Sequence, residues 1–153
     1  MRRKDREMSR AFALEVTDTC PYGVLSMTDA DGAPYCVPLS IAREGEWVYF
    51  HAAAEGTKTD ILRQNPAVCL CCVGHVKPVP GKFTTEYESA IIRGTAGEVT
   101  NEAEKIHALR LICDRYTKEN MAQFDQAIAR SLKVTAVWKI HIDEITGKSK
   151  QPK

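Results

Sequence analysis

Apolar and polar residues alternate along this chain with a period that changes several times. Between Gly23 and Ala52 the pattern has the two-residue period of half-buried strands. It predicts a meander of strands 23–28, 34–42 and 47–52, turning at Asp31-Gly32 and around Gly45. Pro38 falls inside the second strand and has no N–H to give a ladder, so an edge, a bulge or a ligand-facing break is expected there. Residues 3–17 carry Met8, Phe12 and Val16 at helical spacing and predict an amphipathic helix. A short helix is predicted over 57–64, stopped at Asn65-Pro66 because a proline disfavours helix in the residue before it.

Beyond Pro66 the β-rich run "AVCLCCV" continues the sheet, and "VKPVPGKF" (76–83) reads as a proline-broken loop. "TTEYESAIIRGTAGEVT" predicts a long strand, with a bend or bulge at Gly94 and Gly97. "NEAEKIHALRLICDRYT" predicts a helix with Ile106, Leu109, Cys113 and Tyr116 on one stripe, and a second helix spans 118–131 with Met121, Phe124, Ala127 and Ile128. The last run, "VTAVWKIHIDEITGK", puts Val134, Ala136, Trp138, Ile140 and Ile142 on one face of a strand.

About six strands joined mostly as meanders, with a few helices between them, predict a mainly β class: an antiparallel β-barrel with flanking helices. The βαβ alternation and the G-x-G-x-x-G fingerprint of a doubly wound dinucleotide fold are missing, as is a P-loop. With no repeat, linker or low-complexity segment, residues 1–153 read as a single domain. The composition is ordinary for a globular protein, and a net charge of +1 gives no general reason to expect nucleic acid or an anionic membrane as partner. No run nears the ~20 apolar residues of a spanning helix. "MRRKDRE" has no apolar run behind it, so a cytoplasmic protein with reduced thiols is expected. Six cysteines are present, but "VCLCCV" lacks paired C-x-x-C spacing, and Cys72 must face away from Cys69 and Cys71 in a strand. Small buried hydrophobes are the expectation there.

Candidate chemistry concentrates in "HAAAEGTKTDIL". A helix N-terminus offers free N–H groups and the positive end of its dipole, which favour a phosphate or carboxylate. Thr57 is placed to cap the helix or donate its hydroxyl, Lys58 adds a full charge, and Gly56 allows close approach or positive φ. On spacing alone a plain strand–helix turn with a solvated lysine is the favoured reading, since many helices begin this way. Among the histidines, His51 reads from its place at a strand end as a structural hydrogen-bonding position; His75, His107 and His141 read as loop, surface and outward-facing positions. Glu86, Glu88, Asp143 and Glu144 read as solvated faces.

The order of segments narrows these readings. "PYGVLSM", "YFHAAAEGTKTDIL…NP", "YESAIIRGTA" and "ITGK" together resemble the flavin-binding split-barrel superfamily of the pyridoxamine-phosphate-oxidase type, and within it the nitroimidazole-resistance (Nim-like) family, over nearly the whole chain. The resemblance implies FMN bound at a homodimer interface. It implies that Val37, Pro38, Leu39 and Ser40 run along the isoalloxazine edge, with Phe50, His51 and Ala52 near the ring and ribityl chain. By the same resemblance Thr57 and Lys58 hold the phosphate, Ser89 reaches the flavin from the partner subunit, Trp138 borders it, and His51 lies beside the cofactor as the catalytic candidate. Many relatives carry arginine where this chain has Thr57, and after Ile145 only "TGKSKQPK" remains, without the oxidase's substrate-binding motif. The expected activity is therefore an FMN-dependent oxidoreductase passing electrons from a reduced nicotinamide to a small acceptor such as a nitro-aromatic. The alternatives are a non-catalytic sensor or carrier of flavin or haem, with His51 or His75 as a haem ligand, and a structural dimer whose cofactor site has decayed.

Overall fold

The computed structural model describes residues 2–150. Met1 and residues 151–153, included in the domain and tail readings above, lie outside them. A 3-10 turn (Lys4–Arg6) leads into the two-residue strand β1 (Glu7–Met8), α1 (Arg10–Thr19), β2 (Gly23–Thr28), β3 (Pro34–Leu39), β4 (Ile41–Glu44) and β5 (Trp47–Ala53). Then come α2 (Thr57–Gln64), β6 (Ala67–Val79), β7 (Thr84–Glu98), α3 (Glu102–Tyr116), a 3-10 turn (Lys118–Gln123), α4 (Phe124–Ser131) and β8 (Thr135–Lys150).

The sheet order is β3-β2-β6-β7-β8-β5-β4, antiparallel throughout, with β1 added against β8. Its two outer strands, β3 and β4, are consecutive pieces of one extended segment separated only by Ser40. That segment pairs with β2 on one side of Ser40 and with β5 on the other, so the sheet is drawn round into a split barrel. Pro38 thus lies on an edge strand, where its missing N–H costs no ladder bond.

The change of partner at Ser40 strands backbone groups, and α3 supplies their partners. The Ile41 amide donates to the Tyr116 hydroxyl (3.1 Å), and Arg115 Nη1 donates to the Ile41 carbonyl (2.8 Å). Arg115 Nη2 also donates to the Cys20 carbonyl at the end of α1 (2.5 Å), so one guanidinium ties both helices to the seam.

Alternation sorts the side chains. Leu25, Leu70, Ile92, Ile140, Trp138 and Phe50 fill the interior, closed at one end by Ala13 and Val16 of α1. On the outer surface Tyr49, Val99 and Val137 are covered by Ala108 and Leu109 of α3 and Phe124 of α4. At the β7 irregularity between Arg93 and Gly94, a Cβ on Gly94 would sit 2.1 Å from the His141 carbonyl oxygen, so only glycine lets β8 approach. No helix among the described residues is long and apolar enough to cross a membrane.

Several expectations are corrected. The strand count is eight rather than about six, partly because the predicted strand 34–42 is divided at Ser40. The helix predicted from residue 3 begins at Arg10, because the Ser9 hydroxyl caps it by accepting from the Phe12 amide (3.2 Å), and Met8 joins β1 instead. Residues 76–79 are strand, not loop: β2 pairs β6 only through Cys72, so Pro78 lies where β6 has one neighbour, and the turn begins at Pro80. The helix expected over 118–131 starts with a 3-10 segment and becomes α-helical at Phe124. Val134 precedes β8 and is 68% exposed, while Ala136, Trp138, Ile140 and Ile142 face inward as the alternation predicts.

Arg115→Met is expected to lower unfolding free energy by about 2–4 kcal/mol, since it orphans two carbonyls of a charge-assisted pair, and Tyr116→Phe by about 1 kcal/mol. Urea unfolding measures both; equal losses contradict the role given to the guanidinium.

Candidate functional site

At the seam the barrel leaves a gap. β4 begins at Ile41, opposite Phe50, so the end of β5 (His51, Ala52, Ala53) has β8 on one side and no strand on the other. β3 runs past on the far side of this gap without pairing to β5. A cleft of about 220 Å³ opens there, walled by Tyr35 and Val37 from β3 and by Ala52 and Ala53 from β5. Its floor is the turn Glu55-Gly56 and the first three residues of α2.

Gly56 is the N-cap of α2, at φ 141° and ψ 162°, a region essentially closed to side-chain-bearing residues. α1 and α3 are capped by the Ser9 and Asn101 side chains, but Gly56 has none to offer. The first-turn amides of α2 are left at the cleft without a side-chain acceptor. Lys58 joins them half-buried, with Nζ 6.0 Å above the Phe50 ring and no carboxylate paired to it among the described residues. Burial pushes its pKa below the usual lysine value, as expected of an ammonium group lacking a counter-charge. Unpaired donors, a partly desolvated cation and small Ala52 and Ala53 beside them suit an anionic group on a slender chain.

His51 lies one residue from this cleft on β5, opposite Val137, with its side chain outward and exposed. Its ring is nonetheless held below the ordinary histidine pKa, first by loss of hydration against the protein beneath it and second by the Lys58 charge. Neutral imidazole is the form favoured near pH 7.

Of the residues singled out from sequence, Val37, Ala52, Thr57 and Lys58 meet in one cleft. Pro38 and Ser40 are exposed next to it on the seam strand, whereas Leu39 turns into the core. Phe50 is fully buried and contributes only its ring beneath Lys58. Trp138 is 2% exposed, directly across from Phe50 inside the barrel, and does not line the cleft. The two-residue alternation puts it on the inward face with Ile140. Ser89 lies on the outer face of β7 between Val73 and Lys148, away from this cleft. Elsewhere His107 bonds Glu44 (2.9 Å), and His141 bonds Asp143 (2.7 Å), which holds that carboxyl below its usual range.

Tyr35, Glu55 and Thr59 were not anticipated. Tyr35 shares the face of Val37 two residues on, a signal that alternation carries. Thr59 is 1% exposed and its hydroxyl donates to the Gly56 carbonyl (2.7 Å), bracing the turn from within α2.

Lys58→Ala is expected to raise the His51 pKa, because a like charge leaves while the desolvation stays; an NMR titration of the His51 ring that stays put or moves downward contradicts this. Since the folded pKa lies below the unfolded one, His51 contributes stability that is present above the unfolded value near ~6.5 and lost as pH falls through the folded value. Thermal melts of His51→Gln should therefore lose part of the parent's decline between those two pH values.

Residues 9–149 match the sequence profile of the pyridoxamine 5'-phosphate oxidase family. No curated protein sequence matches the chain. Among solved structures, a candidate 5-nitroimidazole antibiotic resistance protein of Bacteroides thetaiotaomicron is 29% identical, with 94% of this chain and 86% of that one covered at a TM-score of 0.79. The flavocytochrome of Azotobacter vinelandii is 23% identical, covering 94% and 68% at a TM-score of 0.78. A FAD and heme binding protein of Mycobacterium smegmatis is 19% identical, covering 96% and 74% at a TM-score of 0.82. The split barrel, its seam and the match over residues 9–149 agree: the chain belongs to the pyridoxamine 5'-phosphate oxidase family.

Proposed function

We propose that this protein is a flavoprotein that binds FMN in the Lys58 cleft and works as a homodimeric oxidoreductase on a small acceptor. The observation that carries the reading is the α2 N-terminus, left uncapped at Gly56 beside a lysine with no carboxylate paired to it among the described residues. A flavin is supported by structural neighbours that are a flavocytochrome and FAD-binding proteins. FMN fits better than a dinucleotide, because among the described residues Lys58 is the one cation lining the cleft and Glu55 shares its wall, an arrangement suited to a single phosphate.

Flavin would supply hydride and electron transfer; this chain's residues bind, orient and protonate. The α2 amides, the Thr57 hydroxyl and Lys58 Nζ hold the phosphate, and the two alanines leave room for the ribityl chain. The free edges of β3 and β5 present main-chain groups to a flat ring, with Pro38 and Ser40 on the rim. His51, neutral at physiological pH, donates an imidazole N–H to the acceptor being reduced.

A second copy is part of the proposal. Outside the barrel the cross-strand row Pro38, Val24, Cys71, Ile91 and Thr146 is only partly buried, and Ser89 is on the same face two residues from Ile91. A two-fold partner laid on this row would cover it and bring its own Ser89 toward the seam. The Bacteroides neighbour supports a nitro-aromatic acceptor and a reduced nicotinamide is the proposed donor. A second reading, a carrier of haem or flavin without turnover, is supported by the Azotobacter flavocytochrome and the Mycobacterium FAD and heme binding protein.

The purified protein should be yellow, absorbing near ~450 nm, and should release FMN on denaturation. A Soret band favours the second reading. Colourless protein that takes up no FMN on titration contradicts the proposal. Lys58→Ala should weaken FMN by about ten- to a hundredfold while leaving riboflavin nearly unchanged.

A further inference from the structure

The floor of the cleft is a short turn, Ala54 to Gly56, that must hold its shape for the α2 amides and Lys58 to converge. Thr59 fixes its far end by donating to the Gly56 carbonyl (2.7 Å). The near end is fixed from the opposite end of α2. Arg63 reaches back so that Nη2 donates to the Ala54 carbonyl (3.1 Å). The same nitrogen and Nε also bond Glu98 Oε2 at the end of β7, at 3.2 and 3.4 Å. Asp60 lies 3.8 Å from Nη1 on the same helix.

We infer that Arg63 is a positioning residue for the phosphate cradle, a latch that pins the Ala54–Gly56 turn and α2 to the end of β7. The inference rests on the flavin reading of the Lys58 cleft and adds a residue outside its lining.

The ordinary role of an arginine in a last helical turn is to satisfy the helix's own carbonyls and complement the dipole. Here the guanidinium instead bonds a carbonyl before the helix and a carboxylate on a strand. Only a fork with several donors reaches both; a lysine ammonium is a single point and must give up one. The side chains of Arg63 and Glu98 are 44% and 36% exposed, so the pair adds little global stability. Its effect is local. A shift of the turn by a fraction of an ångström misaims the first amides of α2, and preorganised anion binding is sensitive to such shifts.

Two readouts separate this role from a merely structural one, using the full chain. In cofactor-free protein, Arg63→Ala should speed amide hydrogen exchange at residues 56–58 by about tenfold, with barrel amides unchanged. In titrations, the ratio of FMN to riboflavin affinity should fall by about three- to tenfold, with the riboflavin affinity itself and the melting temperature little altered. Glu98→Ala should give a smaller loss in the same direction, and Arg63→Lys should recover only part of the ratio. Unchanged exchange, or faster exchange with the parental ratio kept, overturns the latch. A parent protein that does not prefer FMN to riboflavin overturns the phosphate reading beneath it, and that outcome is visible before any variant is made.

Discussion

The structure turns on one strand that changes partner. A sheet rids itself of edges only by closing, and here closure depends on the segment Pro34–Glu44 pairing with β2 up to Leu39 and with β5 from Ile41 onward. Ser40, between the two halves, is where the ladder stops. Everything that makes a site possible follows from that interruption: β3 and β5 diverge, their facing edges go unpaired, and a cleft opens between them. Its cost is met at a distance, by Tyr116 and Arg115 of α3 bonding the backbone of Ile41.

The site therefore joins two irregularities set side by side. One is the seam, with main-chain edges free; the other is the α2 N-terminus, with amides free because a glycine stands where the other capped helices have Ser9 or Asn101. Neither is unusual alone. Set around small alanines, with a half-buried lysine lacking a counter-charge, they form a binding place with chemical character. His51 stands at the junction, on the last stretch of β5 before the turn, its ring biased toward neutrality by the same surroundings.

Much of this was legible in the residues. The helix 57–64 was bounded by Gly56 before it and Asn65-Pro66 after it, and the structure has it over Thr57–Gln64. Inward positions on β8 followed from alternation, Trp138 among them. The break at Ser40 was not legible, because "YCVPLSI" is continuous strand by propensity and only tertiary pairing divides it. Likewise Pro78 spoke for a loop because sequence does not say that β2 ends its pairing at Cys72, whereas the turn does begin at Pro80. Arg63 escaped notice for a similar reason: its partners Ala54 and Glu98 are 9 and 35 residues away.

The central claim is that a phosphate sits on the α2 N-terminus at the seam of the barrel. A crystal structure of the protein with FMN tests it most directly. The account predicts the phosphate oxygens within hydrogen-bond distance of the Thr57 and Lys58 amides and of Lys58 Nζ, with the ring lying along the β3 edge. A flavin whose phosphate lies elsewhere, with the Gly56–Lys58 turn facing solvent, would contradict it.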